Sequence, residues 1–342
     1  MTRSETTRSA SMARGALPRG AACRFATAML ASLLVVPASH AQQSLAQRIA
    51  GVHGEAELRF ASRPDVCGNA EGGISFHSST RMRSATLDER DGWSYRCERG
   101  PVRVRLSVAD GAVTRVRTYV GERHDTATGV ADLGVVGTHE AVDYFLGLAR
   151  EAATPVARKA ITPAALADSV AVSPRLIELA RDRARPTDVR KPALFWAGQL
   201  GGDEVLEPAR AMANDASEDE SMRKHATFVL SQLPDGAGLP ALMELARNGE
   251  AMPVRKQALF WAGQGGAPTA ELLEMYRQLD ERDLKKQMIF VLSQRDDSAA
   301  TDGLIQIARG DADHSLRKQA FFWLGQKHDP RVVELLTSIL EK

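Results

Sequence analysis

One ten-residue string recurs five times in the second half of this chain. It reads RKPALFWAGQ at 190–199, RKHATFVLSQ at 223–232, RKQALFWAGQ at 255–264, KKQMIFVLSQ at 285–294 and RKQAFFWLGQ at 317–326. Successive copies start 33, 32, 30 and 32 residues apart, and a degenerate copy, Arg158-Lys159-Ala160-Ile161, lies one period earlier. Self-similarity at such a period marks an array of stacked units rather than one globule.

Each period holds two helical stretches. The string is the second, and it is apolar around most of its circumference, as expected of a helix packed on both sides. The first is amphipathic. In LPALMELARNG, Leu239, Leu242, Met243, Leu245 and Ala246 share one face, and Asn248-Gly249 supplies a stop. Ser173, Thr269 and Thr301 are placed to cap such first helices. Two short helices cannot bury their faces alone, so stacking on neighbouring repeats must complete the core.

The apolar positions predict the content of that core. Phe195, Phe228, Phe260, Phe290 and Phe322 are expected to form one buried seam, where truncation costs about 3–5 kcal/mol. The next residue alternates as Trp196, Val229, Trp261, Val291, Trp323, and two positions on the chain alternates Gly198, Ser231, Gly263, Ser293, Gly325. Large beside small implies interdigitating repeats with the tryptophans in the core. The other reading makes Trp196, Trp261 and Trp323 an exposed binding ladder.

Each string opens on a cation where the helix dipole disfavours one. Asp188, Glu220, Asp283 and Asp313, just upstream, are candidates to offset it. Either the arginines pair with loop acids between repeats, or Lys191, Lys224, Lys256, Lys286 and Lys318 form a basic stripe aimed at an acidic partner. The near balance of charge over 158–342 favours the pairing. The closing glutamines, Gln199 to Gln326, are expected to bond inter-repeat loops.

String, period and helix pairing together resemble HEAT repeats of the short bacterial kind, whose second helix follows R-K-x-A-x-F-W-L-G-Q. Phycobilin lyases share related repeats, but no bilin-site motif is assigned here. The resemblance covers 158–342 and implies a mainly α fold, a right-handed α-α superhelix of the HEAT/armadillo type, whose work is binding other proteins. It brings no catalytic residues and no cofactor. Deoxyhypusine hydroxylases, which are HEAT-like enzymes, hold iron through repeated His-Glu pairs. This chain has one such pair, His139-Glu140.

Residues 42–137 follow a different pattern. GEAELRFASR, GGISFHS and WSYRCE alternate in part, and PVRVRLSVADGAVTRVRTYVG is a hairpin turning at Asp110-Gly111. A small antiparallel β domain is expected, pinned by a Cys67–Cys97 disulfide. Residues 138–157 are expected to form a capping helix and linker, with Val142, Phe145, Leu146 and Ala149 facing the first repeat.

The first 41 residues read as an export signal. Arg3, Arg8, Arg14, Arg19 and Arg24 precede FATAMLASLLVVPA, and Ser39-His40-Ala41 suits cleavage. That apolar run falls short of the ~20 residues of a spanning helix, and no later segment reaches that length. The expected mature protein is therefore periplasmic or secreted, with no integral membrane segment.

A formal charge of +1 on the whole chain gives nucleic-acid binding no global support. There is no G-x-S-x-G, phosphate loop or H-E-x-x-H. His53, His77, His124 and His139, with Asp125, form a metal site only if folding brings them together. The expectation is a non-catalytic, exported scaffold for a protein partner. The alternative is a metal-dependent enzyme or sensor centred on the N-terminal histidines.

Overall fold

The structure is a computed structural model describing residues 43–78, 81–84, 97–122, 128–327 and 329–333. The leader, Cys23, His124 and Asp125, the side chain of His77 and most of WSYRCE lie outside the described residues. Among the described residues, no helix is long and apolar enough to cross a membrane.

A short helix, α1 (Leu45–Ala50), leads into seven strands: β1 (Gly54–Phe60), β2 (Val66–Gly68), β3 (Ile74–Ser78), β4 (Arg81–Ser84), β5 (Val102–Ala109), β6 (Ala112–Val120) and β7 (Val130–Val135). Strands β2, β3 and β4 form one antiparallel sheet, and the other runs β6-β5-β1-β7. The β5–β6 hairpin turns where the alternation places it. Asp110 and Gly111 both have positive φ, 52° and 73°, as a tight two-residue turn requires.

The larger sheet is mixed rather than antiparallel, which corrects the sequence expectation. Strand β7 runs parallel to β1, with Glu55 opposite Val130 and Arg59 opposite Val135. VADLGV buries almost none of its side chains, so it has no alternation to read. It is a strand because β1 offers it an open edge. The Cys67–Cys97 disulfide is present, with the Cα atoms 5.3 Å apart across 30 residues. A loop of that size contributes about 3 kcal/mol by restricting the unfolded chain.

The rest is helical. The pairs are α2 (Thr138–Glu151) with α3 (Thr154–Ala165), α4 (Ser173–Arg181) with α5 (Thr187–Gly201), α6 (Leu206–Asn214) with α7 (Glu220–Gln232), α8 (Leu239–Asn248) with α9 (Met252–Gln264), α10 (Thr269–Gln278) with α11 (Arg282–Ser293), and α12 (Ser298–Gly310) with α13 (His314–Leu324). Members of a pair pack on each other, and the second helices pack in succession from α3 to α13. Helix α3 carries Arg158 and Lys159, and it also packs on β6. One hydrophobic core runs from Leu45 to Val332.

The second helices do not face as their phenylalanines suggest. In α5 the buried stripe is Arg190, Ala193, Leu194 and Ala197, at i, i+3, i+4 and i+7. Leu230, Leu259, Ile289 and Leu324 fill the same role in later repeats. Phe195, Phe228, Phe260 and Phe290 are only half-buried, and Phe322 is 60% exposed. Trp196 is buried, whereas Trp261 and Trp323 are half-buried. The five phenylalanines are thus not the core seam, and truncating them costs less than the core value. A helix apolar all round has no moment to orient it, so the packing of small alanines against the preceding helix decides.

The alternation of Trp-Gly with Val-Ser does have a steric origin. A Cβ placed on Gly198 would lie 2.6 Å from Val229 Cγ1 of the next repeat, and on Gly263 2.3 Å from Val291 Cγ1. Each glycine is the hole into which the next repeat's valine fits.

Ser173, Thr269 and Thr301 are buried and cap nothing. Thr269 instead donates to Asp297 Oδ2 at 2.8 Å, tying one pair to the next, while Asp297 caps α12 through the Ala300 N–H. Buried hydroxyls take the nearest acceptor, and here that acceptor belongs to the neighbouring repeat.

Candidate functional site

In every repeat the Lys, Phe and Gln of the string lie four residues apart, so they share one side of the second helix. Stacking the helices turns those sides into one face. Along it the rings form an unbroken row. Trp196 meets Phe195 at 5.7 Å between centroids, and Phe195 stacks on Phe228 at 6.3 Å. Phe228 meets Trp261 at 5.1 Å, and Trp261 meets Phe260 at 4.9 Å. The pattern then repeats, with Phe260 on Phe290 at 6.3 Å, Phe290 on Trp323 at 5.4 Å and Trp323 on Phe322 at 5.2 Å. The unit of this row is two repeats, because only alternate copies carry tryptophan.

The lysines flank the row. Lys224 pairs with Glu220 at 2.6 Å, and Lys256 pairs with Asp283 of the next repeat at 3.0 Å. That contact holds the Asp283 carboxyl below its usual range. Lys191, Lys286 and Lys318 form no ion pair among the described residues, and Lys318 is exposed. Gln232 and Gln294 donate to the neighbouring Ser231 and Ser293 hydroxyls at 2.9 and 3.2 Å, rather than to a loop.

The arginines point the other way and are structural. Arg190 Nε donates to Ala180 O at 2.8 Å, Arg223 Nε to Ala213 O at 3.1 Å and Arg255 Nε to Ala246 O at 3.1 Å. Each one satisfies a carbonyl at the C-terminal end of its own first helix, where a cation is favoured. Arg190 then grips Glu218, and Arg255 grips Glu281, in the following pair. The acids come from the next repeat, not from the residues just upstream. Upstream acids have other work: Asp313 caps α13 through the Ser315 N–H and pairs with Arg282 at 2.8 Å.

The third residue of the string makes the remaining inter-repeat bond. Gln319 Nε2 donates to Lys286 O at 3.3 Å. In the second copy a histidine takes that place, with His225 Nε2 2.9 Å from Lys191 O. Burial pushes its pKa from 6.5 down to about 4, so it is neutral and donates from Nε2. The unfolded chain takes up that proton near pH 6.5, which the folded chain resists until about pH 4. This stabilisation is complete above pH 6.5 and fades as pH falls towards 4. The urea midpoint should drop between pH 7.5 and pH 5, and by less in His225→Gln, which restores the residue found at Gln257, Gln287 and Gln319. Equal drops in both proteins would refute this.

The N-terminal histidines are not brought together where they are described. Glu140 Oε1 accepts the Leu45 N–H at 2.8 Å and so closes the start of α1. His139 beside it is exposed. Among the described residues, no three His, Cys, Asp or Glu side chains are placed to hold a metal ion.

No protein-family model matches the chain, and no curated protein matches it by sequence. Among solved structures it is similar to human deoxyhypusine hydroxylase in complex with glycerol, at 15% identity and a TM-score of 0.26, over 58% of this chain and 77% of that one. That neighbour is an enzyme, which stands against the expectation that this chain is not one but, at this TM-score, carries no argument about it. At such a score the likeness lends this chain no chemistry.

Proposed function

We propose that this chain is a HEAT-type repeat scaffold, its helix pairs wound as a right-handed superhelix, that binds a protein partner in the cell envelope or outside the cell. The observation that carries this reading is the continuous row of eight rings on the second helices, flanked by Lys and Gln and ending in the 60%-exposed Phe322. Aromatic side chains offer large contact area at low entropic cost, and a row of them that reaches the surface is the kind of patch that protein interfaces use. The arginines, consumed inside the stack, leave the lysines as the cations this face presents.

The test is site-specific photocrosslinking in the full chain. A crosslinker at Phe322 or Lys318 should trap one defined protein, and one at Arg247, on a first helix, should not. Phe322→Ala with Lys318→Ala should abolish that product while lowering stability by less than about 1 kcal/mol, since both side chains are exposed. Equal trapping from both surfaces would overturn the assignment.

A further inference from the structure

A cavity of about 830 Å³ lies where sheet, helix pairs and the β2–β3 turn meet. One wall is the edge strand β6, lined continuously from Thr114 to Tyr119. The opposite wall is α3, with Arg158 and Lys159, and Trp196 closes one end. Arg115, Arg117, Arg158 and Lys159 are all exposed, and none forms an ion pair among the described residues. A single acid, Glu71, faces them. Four cations against one acid, around a cavity of ligand size, is an unbalanced field.

The backbone of β6 adds a second element. Gly121 N–H bonds back to Pro101 O at 3.2 Å, whereas Val120 O accepts from Ala70 N–H at 3.0 Å on the far side. Alternation then turns the N–H and C=O of Val116 and Thr118 away from β5 as well. Across that edge neither makes a backbone hydrogen bond among the described residues. Such an edge accepts another strand. Arg115 and Arg117 point to one side of β6, while Val116 and Val120 between them enter the core, and α3 packs against the strand.

We propose that this groove binds an extended acidic segment of a partner protein, which adds to β6 as a further strand. Side chains of an added strand alternate between its two sides, so a run of acidic residues meets Arg115 and Arg117 on one and Arg158 and Lys159 on the other. Val116 and Thr118 supply the backbone bonds. The groove shares Trp196 with the aromatic row but includes neither Phe322 nor Lys318, so a variant at Phe322 tells the two readings apart.

The full chain is titrated with a fluorescein-labelled peptide of six consecutive glutamates, read by anisotropy in low salt. Binding should weaken at least tenfold in Arg115→Ala with Arg117→Ala, and again in Arg158→Ala with Lys159→Ala. It should be unchanged in Phe322→Ala. A peptide N-methylated at alternate residues keeps its charge but cannot complete the strand, and it should bind at least tenfold more weakly to the unaltered protein. Equal binding of the methylated peptide overturns strand addition. Competition by millimolar inorganic phosphate as effective as by unlabelled peptide assigns the groove to a small anion and overturns the proposal. Loss of peptide binding on dimerisation, seen by sedimentation, assigns the edge to a second copy and also overturns it.

Discussion

Arg190→Ala is expected to destabilise the protein by about 3–5 kcal/mol, the cost of breaking a buried ion pair from one side. Both partners are almost fully enclosed, with side chains 4% and 5% exposed, and the contact is two-pronged. Removing the guanidinium leaves Glu218 charged without its main partner and Ala180 O without its donor. The hydrogen bond from Arg190 is also the largest reason that the Glu218 carboxyl titrates below its ordinary 4.5. That contribution is present above pH 4.5 and is lost as pH falls through the lowered value. Urea denaturation at pH 7 measures the loss. Arg190→Met with Glu218→Leu should recover most of it, because a well-packed apolar pair often equals a buried ionic one. A loss under 1 kcal/mol in Arg190→Ala would mean that the pair is not what joins the first string to the following repeat.

Gly263→Val should cost about 3 kcal/mol, at the upper end of overpacking. The space is already taken, since even a lone Cβ would stand 2.3 Å from Val291 Cγ1. Val291 is β-branched, fully buried and on a helix, so it has few rotamers to retreat into. Val291→Ala alone should also destabilise, by leaving a cavity. Combined, the two should lose less than the sum of their separate costs by about 1–3 kcal/mol, because the new valine fills the space vacated by the old one. In a stack where units touch only their neighbours, the single variant should show its damage locally. Hydrogen exchange should rise in α11 and α13 while α5 and α7 stay protected. Additive costs, or exchange rising uniformly, would refute the socket.

Some of this was legible residue by residue. The Trp-Gly and Val-Ser alternation showed that adjacent repeats differ in shape, and Gly198 and Gly263 do receive Val229 and Val291. The hairpin at Asp110-Gly111 could be read from its alternation, and the Cys67–Cys97 bond from the two cysteines left beyond the leader. The role of Phe322 could not. It occupies the same place in its string as Phe195, and nothing in either string says which apolar position faces inward. The groove at β6 was equally invisible. Arg115 and Arg117 lie on a strand, Arg158 and Lys159 on a helix some forty residues later, and no local pattern joins them.

The recurrence determined on its own that the C-terminal half is a succession of helix pairs, because a repeated string repeats its local preferences and each copy leaves an apolar face for the next to cover. Tertiary structure decided what those preferences leave degenerate. It chose alanine and leucine rather than phenylalanine for the inside, since close approach of helices needs small side chains there. It gave Arg190 and Arg255 a carboxylate from the following repeat, since the nearest acid in space is not the nearest in sequence. It added β7 parallel to β1, since an open sheet edge recruits a strand through its backbone, and backbone hydrogen bonding leaves no mark on side-chain pattern.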